Sequence, residues 1–424
     1  MNVGLLLIIL LLLLAFLGIP ICFSLGIATV VAMLYGGMPL LVIPQKMFTG
    51  VDSVPLLAIP FFLLAGNLMA RGITQKILNF SNAMIGAIRG GLGMVTVCAS
   101  AVFAAISGSG VATVSAIGGM TIPAMKKEGY SPDFAAAVAS VASILGPIIP
   151  PSIVLIVYGS STDTSIGELF LAAVVPGILV AAVLLGYVYY HAGKHKFKVH
   201  PKVSAKEKAK VTLDSIWALF MPVLILGGIF FGIFTATEAA AVSVFYALFI
   251  GLFVHKDITL KDLPQVLADS AVTTSAILMM LALSKVSSWV VVASKLPMDI
   301  MNTFASMTDS AIVILLFLNI LLLIVGMLME ANAAVVMLTP LIIPLLKAYG
   351  ISTVHFGIVM CLNLCIGLVT PPVGACILLG NEIAGEKLER TIVKALPMIG
   401  ISILVLMVVT YVPATTLWLP TLMK

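Results

Sequence analysis

The sequence predicts an all-α polytopic membrane protein built as two inverted-topology repeats, each of about five spans plus a re-entrant hairpin. Three observations predict it. Of the 424 residues, 61% are hydrophobic and only 9% are charged, with a mean hydropathy of +1.23. Soluble domains carry about a quarter charged residues, so the shortage of charge sets the class. The apolar residues fall in stretches long enough for helices, since ~20 of them cross ~30 Å of hydrocarbon. That length excludes an outer-membrane barrel, whose strands are ~10 residues of alternating polarity. Finally, the second half of the chain echoes the first at a fixed offset of 221 residues.

In chain order, spans are expected at 3–22, 24–43, 52–70, 132–158 and 168–190. The run from Val3 to Leu17 lacks a basic start and a small-residue cleavage site, so it reads as a retained span rather than a signal peptide. Residues 71–91, with Arg71, Lys76 and Arg89, read as an amphipathic arm on the membrane surface. Residues 93–106 and 111–125 are apolar arms joined by Ser107-Gly108-Ser109-Gly110. At ~1.5 Å per residue each arm reaches ~21–23 Å, short of a full crossing. Two short arms around a polar tip predict a re-entrant hairpin over about 93–125, inside a first repeat of 1–190.

A basic linker, 191–214, follows. The second repeat, 215–424, offers spans at 215–234, 236–254, 264–282, 354–380 and 392–414. Its hairpin is expected over about 311–346, with Glu330-Ala331-Asn332 at the tip. Placing the linker lysines (Lys194, Lys196, Lys198, Lys202, Lys206, Lys208 and Lys210) in the cytoplasm orients the chain. Counting spans outward puts 17 of the 22 Lys and Arg on the cytoplasmic side, leaving Lys46, Lys285, Lys295, Lys347 and Lys424 opposite. Both termini then face the periplasm of a bacterial inner membrane. The net charge of +5 belongs to these loops and does not indicate nucleic-acid binding.

The internal echo lies in residues that constrain the backbone. Shifted by 221, Ile122-Pro123 falls on Ile343-Pro344, Lys126 on Lys347, Gly146 on Gly367, Pro150-Pro151 on Pro371-Pro372 and Pro176 on Pro397. Glycine and proline are chosen for backbone reasons, whereas chance matches between apolar segments are mostly Leu, Val and Ala. Between a loop at 126–131 and its image at 347–352 lie five spans and one hairpin. Five is odd, so the halves run in opposite directions, the layout of secondary transporters.

Four polar or helix-breaking clusters fall at bilayer depth: Ser107 to Gly110, Gly146 to Ser152, Glu330 to Asn332, and Thr370 to Gly374. Paired prolines should unwind the fourth span of each half, and unwound backbone in a bilayer is tolerated only inside protein or beside a wet cavity. Freed carbonyls there can ligate Na⁺, and hairpin-tip helix N-termini can face a substrate carboxylate. Hydroxyls of Ser107, Ser109, Ser152 and Thr370, with the Asn332 amide, would complete such sites. Glu238 and Asp133 read as helix-start acids, Asp163 and Glu168 as solvated, and His355 as interfacial. The five cysteines lack metal-ligand spacing and read as small lipid- or core-facing residues. A serine protease using Ser109 would need a general base at depth, which neither His255 nor His355 supplies.

The stretch Gly146 to Ser152 (GPIIPPS), its partner Thr370 to Gly374 (TPPVG), SGSG at a hairpin tip, TEAAA at 237–241 and the length together resemble the large membrane subunit of tripartite ATP-independent periplasmic (TRAP) transporters. The likeness covers essentially the whole chain. It implies Na⁺-coupled uptake of an organic acid, such as a C4-dicarboxylate, sialic acid or a sugar acid, and not an enzyme. It also implies a periplasmic substrate-binding protein, a separate small four-helix membrane subunit and an elevator motion of a domain containing both hairpins. Carried onto this chain, the family implies one Na⁺ site near Ser107, Ser109, Gly146 and Pro147. A second would lie near Asn332, Gly367, Thr370 and Pro371, with substrate between the tips. The nearest alternative is a stand-alone Na⁺/dicarboxylate symporter of related architecture.

Overall fold

A computed structural model describes residues 2–195 and 204–423; Lys196, Lys198, Lys202 and Lys424 lie outside them. Among the described residues every regular element is helical, and nine helices are long and apolar enough to cross a membrane. The most enclosed is Pro132–Thr162.

The first 51 residues form three helices rather than two spans. Val3–Phe16 stops before Gly18 (φ +83°) and Pro20, and Ile21–Tyr35 stops at Gly36 and Gly37 (φ +62°). Val42–Val51 is a separate short helix. The expected spans 3–22 and 24–43 are cut because glycine adopts the left-handed conformation that ends a helix, and proline cannot continue one. The linker is also shorter than 191–214. Ile166–His195 and Ala205–Phe230 reach into it, the latter capped by Ser204, which accepts from the Glu207 amide at 3.2 Å. Lys194, Lys206, Lys208 and Lys210 therefore sit on helix ends. The surface arm appears as Thr74–Ile85, and a counterpart, Leu296–Met307, precedes the second hairpin.

Both hairpins form. The first pairs Gly91–Ser107 with a helix over 110–127 that carries a π-helical turn at Val114–Gly118. The second pairs Ala311–Leu328 with Ala331–Ala348. The second hairpin's arms have 18 residues each and span ~27 Å. From the hairpins onward, several helix bounds coincide under the shift of 221. Ser107 maps to Leu328 as the last residue of a first arm, and Ser109 maps to Glu330 as the cap of a second. Pro132 maps to Thr353 as a helix start. Pro150-Pro151 and Pro371-Pro372 are both cis.

The core lies where Pro132–Thr162 crosses Thr353–Gly367. The Tyr158 hydroxyl donates to the Thr353 carbonyl at 2.8 Å, and the Cys361 thiol donates to the Pro147 carbonyl at 3.2 Å. Advancing from 147 to 158 thus retreats from 361 to 353, so the two helices run antiparallel. His355 is buried beside this crossing, its ring nitrogens meeting Thr416 Oγ1 at 2.8 Å and the Thr410 carbonyl at 3.1 Å on the last two helices.

Candidate functional site

Each central helix is interrupted at its proline pair. The first runs Pro132–Ala142, makes a short turn at Leu145–Ile148, and restarts at Ile153–Thr162. Ser152 starts the restart: it accepts from the Leu155 amide at 3.2 Å and donates to the Pro147 carbonyl. Its hydroxyl bridges the break. The second runs Thr353–Gly367 and restarts at Ala375–Ala384, after Gly374 in the left-handed region. Thr370 Oγ1 donates back to the Ile366 carbonyl at 2.6 Å.

The first hairpin tip is seated on the first break by glycines. A Cβ on Gly146 would lie 2.5 Å from the Ser109 carbonyl oxygen, and one on Gly108 would lie 2.7 Å from that of Pro151. A Cβ on Gly110 would meet the Ser143 carbonyl oxygen at 3.2 Å. Only glycine allows backbones to approach this closely. Thr113 Oγ1 donates to the Ser109 carbonyl at 2.7 Å, so Ser107, 3.3 Å away, must donate to Thr113. Ser109 accepts from the Ala112 amide at 3.4 Å.

The second tip is built differently. Glu330 caps its second arm: Oε2 accepts from the Asn332 and Ala333 amides at 2.9 and 3.2 Å, and Oε1 accepts from Asn332 Nδ2 at 2.7 Å. The helix N-terminus expected to face a substrate carboxylate is therefore filled by a carboxylate of the chain itself. Asn332 is buried, and its Oδ1 has no hydrogen-bond partner among the described residues. Gly367 packs against the first arm, where a Cβ would come within 2.4 Å of the Gly326 carbonyl carbon.

Both tips and both breaks meet at one cavity of about 450 Å³. Ser109 and Gly110 face it from one tip, Glu330 and Asn332 from the other, and Pro147 and Leu368 from the breaks. Thr273, Ile277 and Met280 of Leu263–Ala293 close one side. Of the residues picked out from sequence, Ser109, Pro147 and Asn332 line the cavity. Ser107, Gly146, Ser152, Gly367, Thr370 and Pro371 do not line it, and the hydroxyl hydrogens of Ser107, Ser152 and Thr370 are spent on neighbours. Among the described residues the lining holds no Lys, Arg or His, and its one carboxylate is Glu330. Sequence reasoning set Glu330 apart without giving it a place in the site; its alignment with the cap Ser109 under the shift was the available signal. The wall from Leu263–Ala293 left no such trace, being ordinary apolar helix. Two other cavities, near Lys76 and His255 and between Ser53 and Thr237, lie away from the tips.

Residues 7–415 match the family described as tripartite ATP-independent periplasmic transporter, DctM component. The chain is 40% identical over 400 residues to the isethionate TRAP transporter permease protein DctMQ of Oleidesulfovibrio alaskensis, covering 94% of this chain. It spans 63% of that relative's length. It is 41% identical over 376 residues to the C4-dicarboxylate TRAP transporter large permease protein DctM of Pseudomonas aeruginosa, covering 88% of each chain. In fold it is similar to the crystal structure of the Alcanivorax borkumensis YdaH transporter, with a TM-score of 0.66, 14% identity and 99% of each chain covered. A multi-pass helical chain with two capped hairpin tips meeting two proline-broken helices at one cavity, matched to these relatives over nearly its whole length, belongs to the DctM family of large permease subunits of TRAP transporters.

Proposed function

We propose that the chain is the Na⁺-coupled permease of a three-component uptake system for an organic acid, with substrate held in the cavity between the hairpin tips. The convergence of both tips and both helix breaks on one cavity carries this reading. Relatives named for isethionate, C4-dicarboxylates, sialic acid and 2,3-diketo-L-gulonate support an organic acid as the substrate.

Cation binding has its own support. Thr370 has its hydroxyl hydrogen committed to the Ile366 carbonyl, so only lone pairs remain to meet an ion, and Asn332 Oδ1 is a buried acceptor without a partner among the described residues. One Na⁺ site would draw on Ser107, Ser109, Gly146 and Pro147, the other on Asn332, Gly367, Thr370 and Pro371. We read 1–190 and 215–424 as inverted repeats, which the antiparallel crossing of the two broken helices favours, with the hairpins riding a mobile domain in an elevator motion. A periplasmic binding protein and a small four-helix membrane subunit complete the system. The length by which the isethionate relative exceeds this chain is room for such a subunit in one polypeptide.

Uptake into proteoliposomes tests the reading. Transport should require the binding protein, the small subunit and an inward Na⁺ gradient, and Asn332→Ala or Thr370→Ala should weaken its Na⁺ dependence. Transport by this chain alone would favour the stand-alone symporter. Unchanged Na⁺ dependence in both variants would remove these residues from the ion sites.

A further inference from the structure

Positions 109 and 330 are the same position of the two halves under the shift of 221, and each caps the second arm of a hairpin. One is serine and the other glutamate. The tips are therefore chemically unlike where they face each other across the cavity.

Glu330 satisfies its own helix end with three hydrogen bonds, two to backbone amides and one to Asn332 Nδ2. A carboxylate has about four acceptor positions, so capacity remains on the side of Glu330 that is exposed into the cavity. Across from it, Ser109 accepts from the Ala112 amide, and its hydroxyl hydrogen is committed to no described partner. One tip offers a neutral donor and the other a carboxylate acceptor. Among the described lining residues no Lys, Arg or His offsets that charge.

We propose that Glu330 selects substrate by charge: the cavity takes an organic acid with a single carboxylate, whose far end donates a hydroxyl, amide or ammonium hydrogen to Glu330, and disfavours a second carboxylate. This rests on the reading of the chain as an organic-acid permease and narrows it from acids in general to hydroxylated or aminated monocarboxylates. The reason is electrostatic. A small dicarboxylate whose far carboxylate reaches Glu330 meets a like charge, and like charges repel inside the cavity far more than in open water. A hydroxyl in the same place gains a charge-assisted hydrogen bond.

The test is direct binding to the full chain in lipid nanodiscs with Na⁺ present, so that a binding protein's own selectivity plays no part. Labelled gluconate, a polyhydroxy monocarboxylate, is displaced by unlabelled gluconate or by succinate, a dicarboxylate. The wild-type chain should prefer gluconate by about tenfold or more, the scale of one screened charge–charge contact. Glu330→Gln keeps an oxygen acceptor and removes the charge, so succinate should tighten by about tenfold while gluconate changes by less than about threefold. Glu330→Asp keeps the charge and should keep the preference, which guards against reading a folding defect as a change in selectivity. Equal changes for both acids in Glu330→Gln would make Glu330 a structural cap and overturn the inference. A shift in Na⁺ dependence common to both acids would make it a cation ligand, with the same result. A wild-type chain that binds neither acid overturns the inference together with the transport reading. One that binds both acids with a preference unmoved by Glu330→Gln overturns the inference alone.

Discussion

Replacing Gly146 by alanine tests whether the first hairpin tip is held by the helix break. The added methyl would stand 2.5 Å from the Ser109 carbonyl oxygen, 2.6 Å from its carbon and 2.8 Å from the Gly110 nitrogen. All three are backbone atoms, roughly 1 Å short of the ~3.5 Å at which non-bonded atoms pack. No side chain can rotate out of the way, so the tip and the break must separate by about that amount. Overpacking of this kind costs about 1–3 kcal/mol, which should lower the thermal unfolding midpoint by a few degrees in detergent. The larger effect should be on uptake, because Ser109 and Pro147 line the cavity on either side of the strained contact. A displacement near 1 Å in a positioning group can cost about 100-fold, and a fall of about 10- to 100-fold in initial uptake rate is expected. Gly186→Ala and Gly400→Ala are the controls. Both sit inside helices, Ile166–His195 and Leu388–Tyr411, where an added Cβ meets nothing within 4 Å. Alanine there should be neutral or stabilising by about 0.5–1 kcal/mol. If Gly146→Ala melts and transports like Gly400→Ala, the seating of tip on break is refuted.

Ser152→Ala should lower stability by about 1–2 kcal/mol, through loss of a helix cap and a buried hydrogen bond, while leaving substrate affinity unchanged in binding isotherms; weakened binding would place its hydroxyl in the site after all. Lys126→Met should loosen the foot of the first hairpin, since Lys126 Nζ donates to the Ala384 carbonyl at 2.8 Å. A loss of about 1–2 kcal/mol is expected, read as faster amide exchange at the end of Ala375–Ala384. Burial, then the neighbouring Lys76 ammonium, holds His255 below the usual imidazole range, against the pull of Asp257 and Asp214. The folded state thus binds fewer protons there than the unfolded chain, so this contribution is full above about pH 6.5 and is lost as pH falls through the lowered folded value. The wild-type midpoint should drop more than that of His255→Gln between about pH 7 and 5; parallel curves would show that His255 is not the group responsible.

Some of the architecture was legible because its cause is local. Glycine and proline act on the residue that carries them and on its immediate neighbours. The shift of 221 could therefore be found from Gly146 and Gly367, or from the two proline pairs, without any knowledge of packing. The same locality explains Glu238. It closes a capping box with Thr235 by accepting from the Thr235 amide at 2.8 Å, as an acid at a helix start should. Hydropathy was a weaker guide to where helices stop. Apolar runs through 3–22 and 24–43 concealed the breaks at Gly18 and Gly36-Gly37, and the linker lysines concealed helices that extend into it.

The candidate site was half legible, and the division follows hydrogen-bond commitment. Ser107, Ser109, Ser152 and Thr370 are alike on paper as hydroxyls at bilayer depth. Folding spends Ser152 and Thr370 on the carbonyls of Pro147 and Ile366, buries Ser107 against Thr113, and leaves Ser109 at the cavity. Whether a hydroxyl is spent depends on which carbonyl comes within reach, and that is a property of the fold.

From the sequence alone came the membrane location, the 221-residue echo of glycines and prolines, and the proline-broken helix of each half. Each of these follows from hydropathy or from a local backbone constraint. Only the tertiary structure decided that the two breaks cross antiparallel, that both tips open on one cavity, and that Glu330 is the charge facing it. Those facts depend on contacts between residues some two hundred positions apart, and such contacts leave no mark on the residues that make them.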